Sequence, residues 1–255
     1  MFDPTAYTTA LTGFVPHPLL FGCVSGAHMY GFDSPDSDVD LRGCHILPVA
    51  AVIGLDEPRL TLDRMAVVDG VEVDLVSHDL KKYVTLLIRQ QGNYLEQLYS
   101  PLSVVDTAQA EELRQLMRQG NITRQAYHGY AAYARNMHKE WRDAASQGAG
   151  RLKSLLYAYR VSLTGIHLLR TGEVNANLAE LAPIYDYAHL LDLIAAKSAE
   201  HRAVPLPVET HDRTLTTLQE ELRLAFEQSP LPETLQNRAA LNDFVVRVRL
   251  EFGAL

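Results

Sequence analysis

Apolar and polar residues alternate with a period of two through much of the first hundred residues, and then that alternation stops. Leu19 to Val24 is an unbroken apolar run ending at a Ser-Gly turn, the mark of a short buried strand. In the next run, Asp38, Asp40 and Arg42 interleave with Val39 and Leu41, and the run reaches about Leu47 before Pro48. Residues two apart on a strand share a face, so the spacing puts both carboxylates and the guanidinium on one side and Val39 and Leu41 in the core. Ala50 to Leu55 reads as a helical turn closed by Asp56-Glu57-Pro58. Arg59–Val68 and Val71–Ser77 alternate again across Asp69-Gly70, a strong hairpin signal. The second of these runs turns Glu72 and Asp74 one way and Val71, Val73 and Leu75 the other. Residues 3–14 fit a short amphipathic helix. Ser77-His78-Asp79 opens a helix over Leu80–Arg89, and Gly92-Asn93 is placed to end that helix and cap the next.

From Asp106 onward the period becomes helical. Helices are expected over Ala108–Gln119, Thr123–Ser146, Arg151–Thr171, Tyr185–Ala199, Val208–Gln228 and Leu235–Phe252. Gly120-Asn121, Gln147-Gly148-Ala149-Gly150, Gly172, Pro205 and Pro207 punctuate them. The pattern therefore divides the chain into an αβ part, residues 1–105, and a helical part, residues 106–255, with no internal repeat and no low-complexity tract.

Composition narrows the class. The formal charge of −8 argues against attraction of the whole surface to nucleic acid. That average hides a reversal: residues 121–170 hold eight Arg or Lys against Glu140 and Asp143, a local +6 in a chain whose remainder is −14. Such a patch is either a solvated helix face or the footprint of a partner rich in phosphate. Cys23 and Cys44 are the two cysteines, expected as buried thiols on neighbouring strands. The amino terminus lacks the pattern of a signal peptide, and no apolar run is long enough for a membrane helix, so a cytoplasmic setting with no membrane partner is expected.

The chemistry concentrates in the Asp-x-Asp run. Two anions side by side repel unless a cation lies between them. Hard divalent ions prefer oxygen ligands, and a metal pair can share one carboxylate while gripping a phosphate. A metal-dependent phosphoryl-transfer site follows. A serine hydrolase is rejected, because no Gly-x-Ser-x-Gly elbow is present and the paired acids would go unexplained.

The string Ser25-Gly26-Ala27-His28-Met29-Tyr30-Gly31, then five residues, then Ser37-Asp38-Val39-Asp40-Leu41-Arg42-Gly43, resembles the nucleotidyltransferase superfamily typified by DNA polymerase beta. It is similar in particular to a bacterial branch of nucleotidyltransferases associated with RNA repair pathways. Gly92-Asn93-Tyr94-Leu95-Glu96 extends the likeness past the acids. Many relatives carry Gly-Ser where this chain has Ser25-Gly26, which leaves open whether the Ser25 hydroxyl itself touches a phosphate. The resemblance implies an α+β fold: a polymerase-beta-like palm of mixed sheet and flanking helices, followed by a helical domain.

It also implies the activity, transfer of a nucleoside monophosphate from a nucleoside triphosphate such as ATP to a hydroxyl acceptor. Asp38, Asp40 and Asp74 would be catalytic and hold Mg2+ or Mn2+, Asp74 acting as base directly or through the second metal. Ser25, Gly26, Arg42, Lys153 and Tyr157 would bind the nucleotide. Arg42 either contacts a phosphate or neutralises the acids, and the bland reading of the helical pair is that Lys153 is solvated and Tyr157 is core. Asn93 and Glu96 read as structural first. Arg124, Arg135, Lys139, Arg142 and Arg160 would hold the acceptor, an RNA end by the likeness to the repair branch. The alternatives are nucleotidylation of a protein hydroxyl, AMPylation for example, and a non-catalytic nucleotide- or partner-binding module. The complete acid set argues against the last.

Overall fold

The computed structural model describes residues 2–147, 152–199 and 207–252. A 3-10 turn (Pro4–Tyr7) and α1 (Thr8–Phe14) lead into β1 (Leu19–Ser25), α2 (Gly26–Tyr30), β2 (Val39–His45) and α3 (Val49–Ile53). Then come β3 (Thr61–Val68), β4 (Val71–Asp79), α4 (Leu80–Ile88), α5 (Gly92–Leu98), β5 (Ser103–Asp106) and α6 (Ala108–Arg118). The remainder is helical: α7 (Ala126–Ser146), α8 (Leu152–Thr171), α9 (Leu178–Ile184), α10 (Leu190–Ser198), α11 (Val208–Glu227) and α12 (Arg238–Phe252). Gly148, Ala149, Gly150, Arg151 and Pro205, read above as linker, patch and breaker residues, lie outside the described residues.

The strands form one mixed sheet in the order β3-β4-β2-β1-β5, with β2 and β4 parallel and the other pairs antiparallel. Alternation does what period two demands. Val39, Leu41, Val73 and Leu75 face a core shared with Leu11, Val15, Val24 and Val104, each almost wholly buried, and each such side chain contributes roughly 1.5–3 kcal/mol. The opposite face carries Asp40, Arg42, Asp74 and His78. Asp69-Gly70 makes the β3–β4 hairpin, with φ of 50° and 85° at the two turn residues. Asp79 caps α4 by accepting from the Lys81 N–H.

Two compact units result, and their bounds differ from a single break near residue 105. The first comprises residues 1–29, 38–122 and 235–255, and the second 30–37 and 123–234. Long-range packing, invisible to periodicity, moves the boundary. In the first unit α12 packs on α4 and α6. Its Arg249 donates to both carboxylate oxygens of Asp79 at 2.8 Å and to the Leu47 carbonyl at 2.9 Å, all buried. In the second unit α7, α8 and α11 pack together, with α9 and α10 against α8. Gly165 lets α8 approach its neighbours, since a Cβ there would stand 2.9 Å from Leu222 Cδ1 and from Tyr130 Cβ.

Three local expectations change. β5 was unforeseen; its four residues complete the sheet by pairing with β1. α9 precedes Tyr185, capped by Asn177, whose Oδ1 accepts from the Ala179 and Glu180 N–H groups. Gly92 opens α5 with no side-chain cap, so Asn93 sits inside the first turn.

Candidate active site

The register of the sheet brings the acids together. Ser25 pairs with Asp40, Asp40 with Asp74 and Asp74 with Met65, one row across four strands. In parallel strands side chains of register partners share a face, so the carboxylates of Asp40 and Asp74 stand side by side. Asp38 is placed differently from the strand reading. It lies exposed, one residue before β2 begins, and among the described residues it makes no hydrogen bond or ion pair.

A cation does lie between the paired acids, and it is Arg42. Its Nη2 donates to Asp40 Oδ1 at 2.5 Å and to Asp74 Oδ2 at 2.9 Å, while Nη1 donates to the carbonyls of Asp74 (2.7 Å) and Leu41 (3.0 Å). Arg42 is thus ion-paired with both acids. Among the described residues no three of His, Cys, Asp and Glu gather as a ready metal site. The donor set still suits a hard divalent ion, being all carboxylate oxygen, and Asp74 Oδ1 and both oxygens of Asp38 carry no hydrogen bond among the described residues. A guanidinium and a divalent ion would compete for the other oxygens of the pair.

The turn after β1 is fitted to the same pair. Gly26 has φ of 65°, and a Cβ on it would come within 1.9 Å of Asp40 Oδ2, so a glycine is required for both reasons. Ser25, immediately before it, is buried.

A model of the RNA repair pathway DNA polymerase beta family matches residues 10–247. The chain belongs to that family. A relative from Methanocaldococcus jannaschii, an uncharacterized protein, is 25% identical over 164 residues, which are 63% of this chain and 64% of the relative, less than two thirds of its length. The crystal structure of a nucleotidyltransferase-like protein from Exiguobacterium sibiricum is similar over 97% of this chain and 80% of its own, with a TM-score of 0.34 and 12% identity.

This member of the polymerase beta family carries its remaining candidates in the second unit. Lys153 is exposed in the first turn of α8. Tyr157, one turn on, lies edge-on to Phe32 at 5.3 Å and Tyr30 at 5.7 Å, a ring built into packing. The acceptor stripe is smaller than periodicity suggested. Arg135 and Lys139 are exposed on α7, and Arg142 is exposed with Nη1 3.8 Å from Asp212. Arg124 is tied to Glu233 at 2.7 Å. Arg160 does not belong to any surface: it is 2% exposed, with its guanidinium 3.8 Å from the Tyr30 ring centre. α7, α9, α10 and α11 pack around α8, so Arg160 in its middle is buried although Lys153 in its first turn is exposed.

One further polar residue of this sheet face lay outside the first reading of the site. His78 follows Asp74 by four residues and shares its face. Its ring nitrogens meet Thr61 Oγ1 at 2.9 Å and the Tyr94 hydroxyl at 3.2 Å. Burial, then the charges of Lys82 and Arg42, pull its pKa down to about 4, so the ring is neutral at pH 7. The alternation that located Asp74 was the available signal. Cys23 and Cys44 are free and buried on the neighbouring β1 and β2, and burial pushes the Cys23 thiol up to about 12. Among the described residues no helix is long and apolar enough to cross a membrane.

Proposed function

We propose that this chain transfers a nucleoside monophosphate from a nucleoside triphosphate to the hydroxyl of an RNA end. One observation carries the reading: in a member of the polymerase beta family, Asp40 and Asp74 are register partners on one open sheet face, with Gly26 of the adjoining turn against the first of them. The acceptor oxygen attacks the α-phosphorus, a P–O ester bond forms, the bond to the oxygen bridging the β-phosphorus breaks, and pyrophosphate leaves. The hydroxyl proton passes to Asp74, whose Oδ1 carries no hydrogen bond among the described residues. Ser25 and the backbone of Gly26 orient the phosphates.

Asp38, Asp40 and Asp74 would hold Mg2+ or Mn2+, which when bound neutralises phosphate charge and activates the acceptor hydroxyl. Arg42, once it gives up the shared oxygens, offers a planar donor pair to a phosphate. Lys153 is proposed as a counter-charge for pyrophosphate, and Arg135, Lys139 and Arg142 as the face for the RNA backbone. The test is incubation with labelled nucleoside triphosphates, Mg2+, and either RNA or cell extract. Label in RNA supports the reading. Label in a protein band moves the acceptor to a protein hydroxyl, and saturable binding without transfer reduces the chain to a binding module.

A further inference from the structure

We infer that Lys197 and Ser198, at the C-terminal end of α10, are positioning residues for Asp38 and Asp40, an inference that rests on the proposed function, in which both acids are catalytic. The path of the chain carries the argument. It leaves the first unit after Met29, spends residues 30–37 in the second, and returns at Asp38. The segment joining the Ser25-Gly26 turn to the acids is therefore built into the helical unit.

Both arms of that segment are held there. Arg160 stacks on Tyr30, and Phe32 is wholly buried with its ring against Tyr157. Gly31, at φ of 77°, passes so close to Asn177 that a Cβ would stand 2.2 Å from its Oδ1. Ser198 Oγ donates to the Asp33 carbonyl at 2.6 Å. Lys197 Nζ donates to Ser34 Oγ at 2.7 Å and to Ser37 Oγ at 3.2 Å, spanning the turn from its first serine to its last. Inside the turn the Ser37 N–H donates to the Ser34 carbonyl at 2.9 Å, and Ser34 Oγ donates to Asp36 Oδ1 at 2.7 Å.

The residue after Ser37 is Asp38, and Asp40 follows two further on. One ammonium thus fixes the end of the loop from which both acids start. Its three N–H donors and fixed charge suit hydroxyl acceptors on both arms of a turn, and the negative end of the α10 dipole favours a cation there. A small displacement of reacting groups by a change remote from the chemistry can cost about a hundredfold in rate.

The experiment compares wild type with Lys197→Met and Lys197→Arg, reading nucleotide transfer and amide hydrogen exchange. Lys197→Met is expected to lower kcat about 10- to 100-fold with KM for the triphosphate nearly unchanged, and to speed exchange at Asp38–Asp40. Lys197→Arg, which keeps the charge and donors, should recover most of kcat. A Lys197→Met protein with wild-type kcat, or one whose loss appears as raised KM with kcat intact, overturns the inference; the latter would put Lys197 on the substrate. If Lys197→Met does not fold, the double variant Ser34→Ala, Ser37→Ala removes the same two bonds and is held to the same outcomes. Should wild type transfer no nucleotide, the functional reading fails by itself. The exchange measurement then decides the inference, and unchanged exchange at Asp38–Asp40 overturns it.

Discussion

Replacing Arg42 with methionine asks whether its guanidinium is what lets Asp40 and Asp74 stand side by side. The pair distances are 2.5 and 2.9 Å, with Arg42, Asp40 and Asp74 side chains 18%, 23% and 32% exposed. Methionine keeps most of the stem and removes the charge. A hydrogen bond to a charged group contributes about 1.5–3 kcal/mol; the two to the carboxylates are lost along with those to the Leu41 and Asp74 carbonyls, and two carboxylates are left facing each other. Partial exposure offsets some of this, because water and counter-ions reach the pair. A net loss of about 2–4 kcal/mol follows, or roughly 5–12 °C in the melting temperature at a few degrees per kcal/mol. The assay is thermal melting of wild type and Arg42→Met at pH 7, in chelator and with Mn2+. A divalent ion no longer competes with the guanidinium in the variant, so it should bind more tightly there, and at a hundred times Kd it restores about 2.7 kcal/mol. The reasoning is refuted if the variant melts with wild type in chelator, or if Mn2+ raises the wild-type transition by as much as that of the variant.

Gly26→Ala should abolish transfer and lower stability by about 1–2 kcal/mol from the left-handed φ alone, more if the methyl displaces Asp40; transfer assays and melts check both. Arg249→Met leaves buried Asp79 without its partner and should cost about 3–5 kcal/mol in chemical denaturation. Burial alone would raise the Asp79 pKa, yet hydrogen bonds and charge from Arg249, with the Leu47 and Lys81 N–H groups, hold it below its ordinary value. The stability this lends is present above the ordinary carboxylate pKa and is lost as pH falls through the lower folded value. In Arg249→Met the carboxyl should take up its proton at higher pH, so acid unfolding begins at higher pH than in wild type. Arg135→Glu with Lys139→Glu should weaken RNA binding and flatten its dependence on salt concentration, as measured by fluorescence anisotropy, while leaving Mn2+ binding unchanged.

What the sequence disclosed was local. The Asp69-Gly70 hairpin, the alternation around Asp40 and Asp74, and the long helices α7, α8 and α11 were written in periods of two and 3.6, and each is present. β5 was too short to show a period. α9 went unread, because Pro183 lies within it and masks the helix that Asn177 caps. What stayed hidden depends on contacts between distant residues. Spacing put Arg42 on the face of Asp40, but its reach to Asp74 requires the parallel register of β2 and β4. Arg160 kept helical spacing with Lys153, yet neighbours on several sides bury it. Asp79 and Arg249 are 170 positions apart, and Lys197 and Ser34 are 163 apart.

The division of the chain also governs how it can be dissected. Because residues 30–37 travel with the helices and α12 returns to the sheet, no single truncation yields either half intact. A fragment ending at residue 105 would shed α6 and α12, and with them the partner of Asp79. A deletion removing the helical unit whole must also excise the eight residues preceding Asp38, and would splice Met29 directly onto the acids.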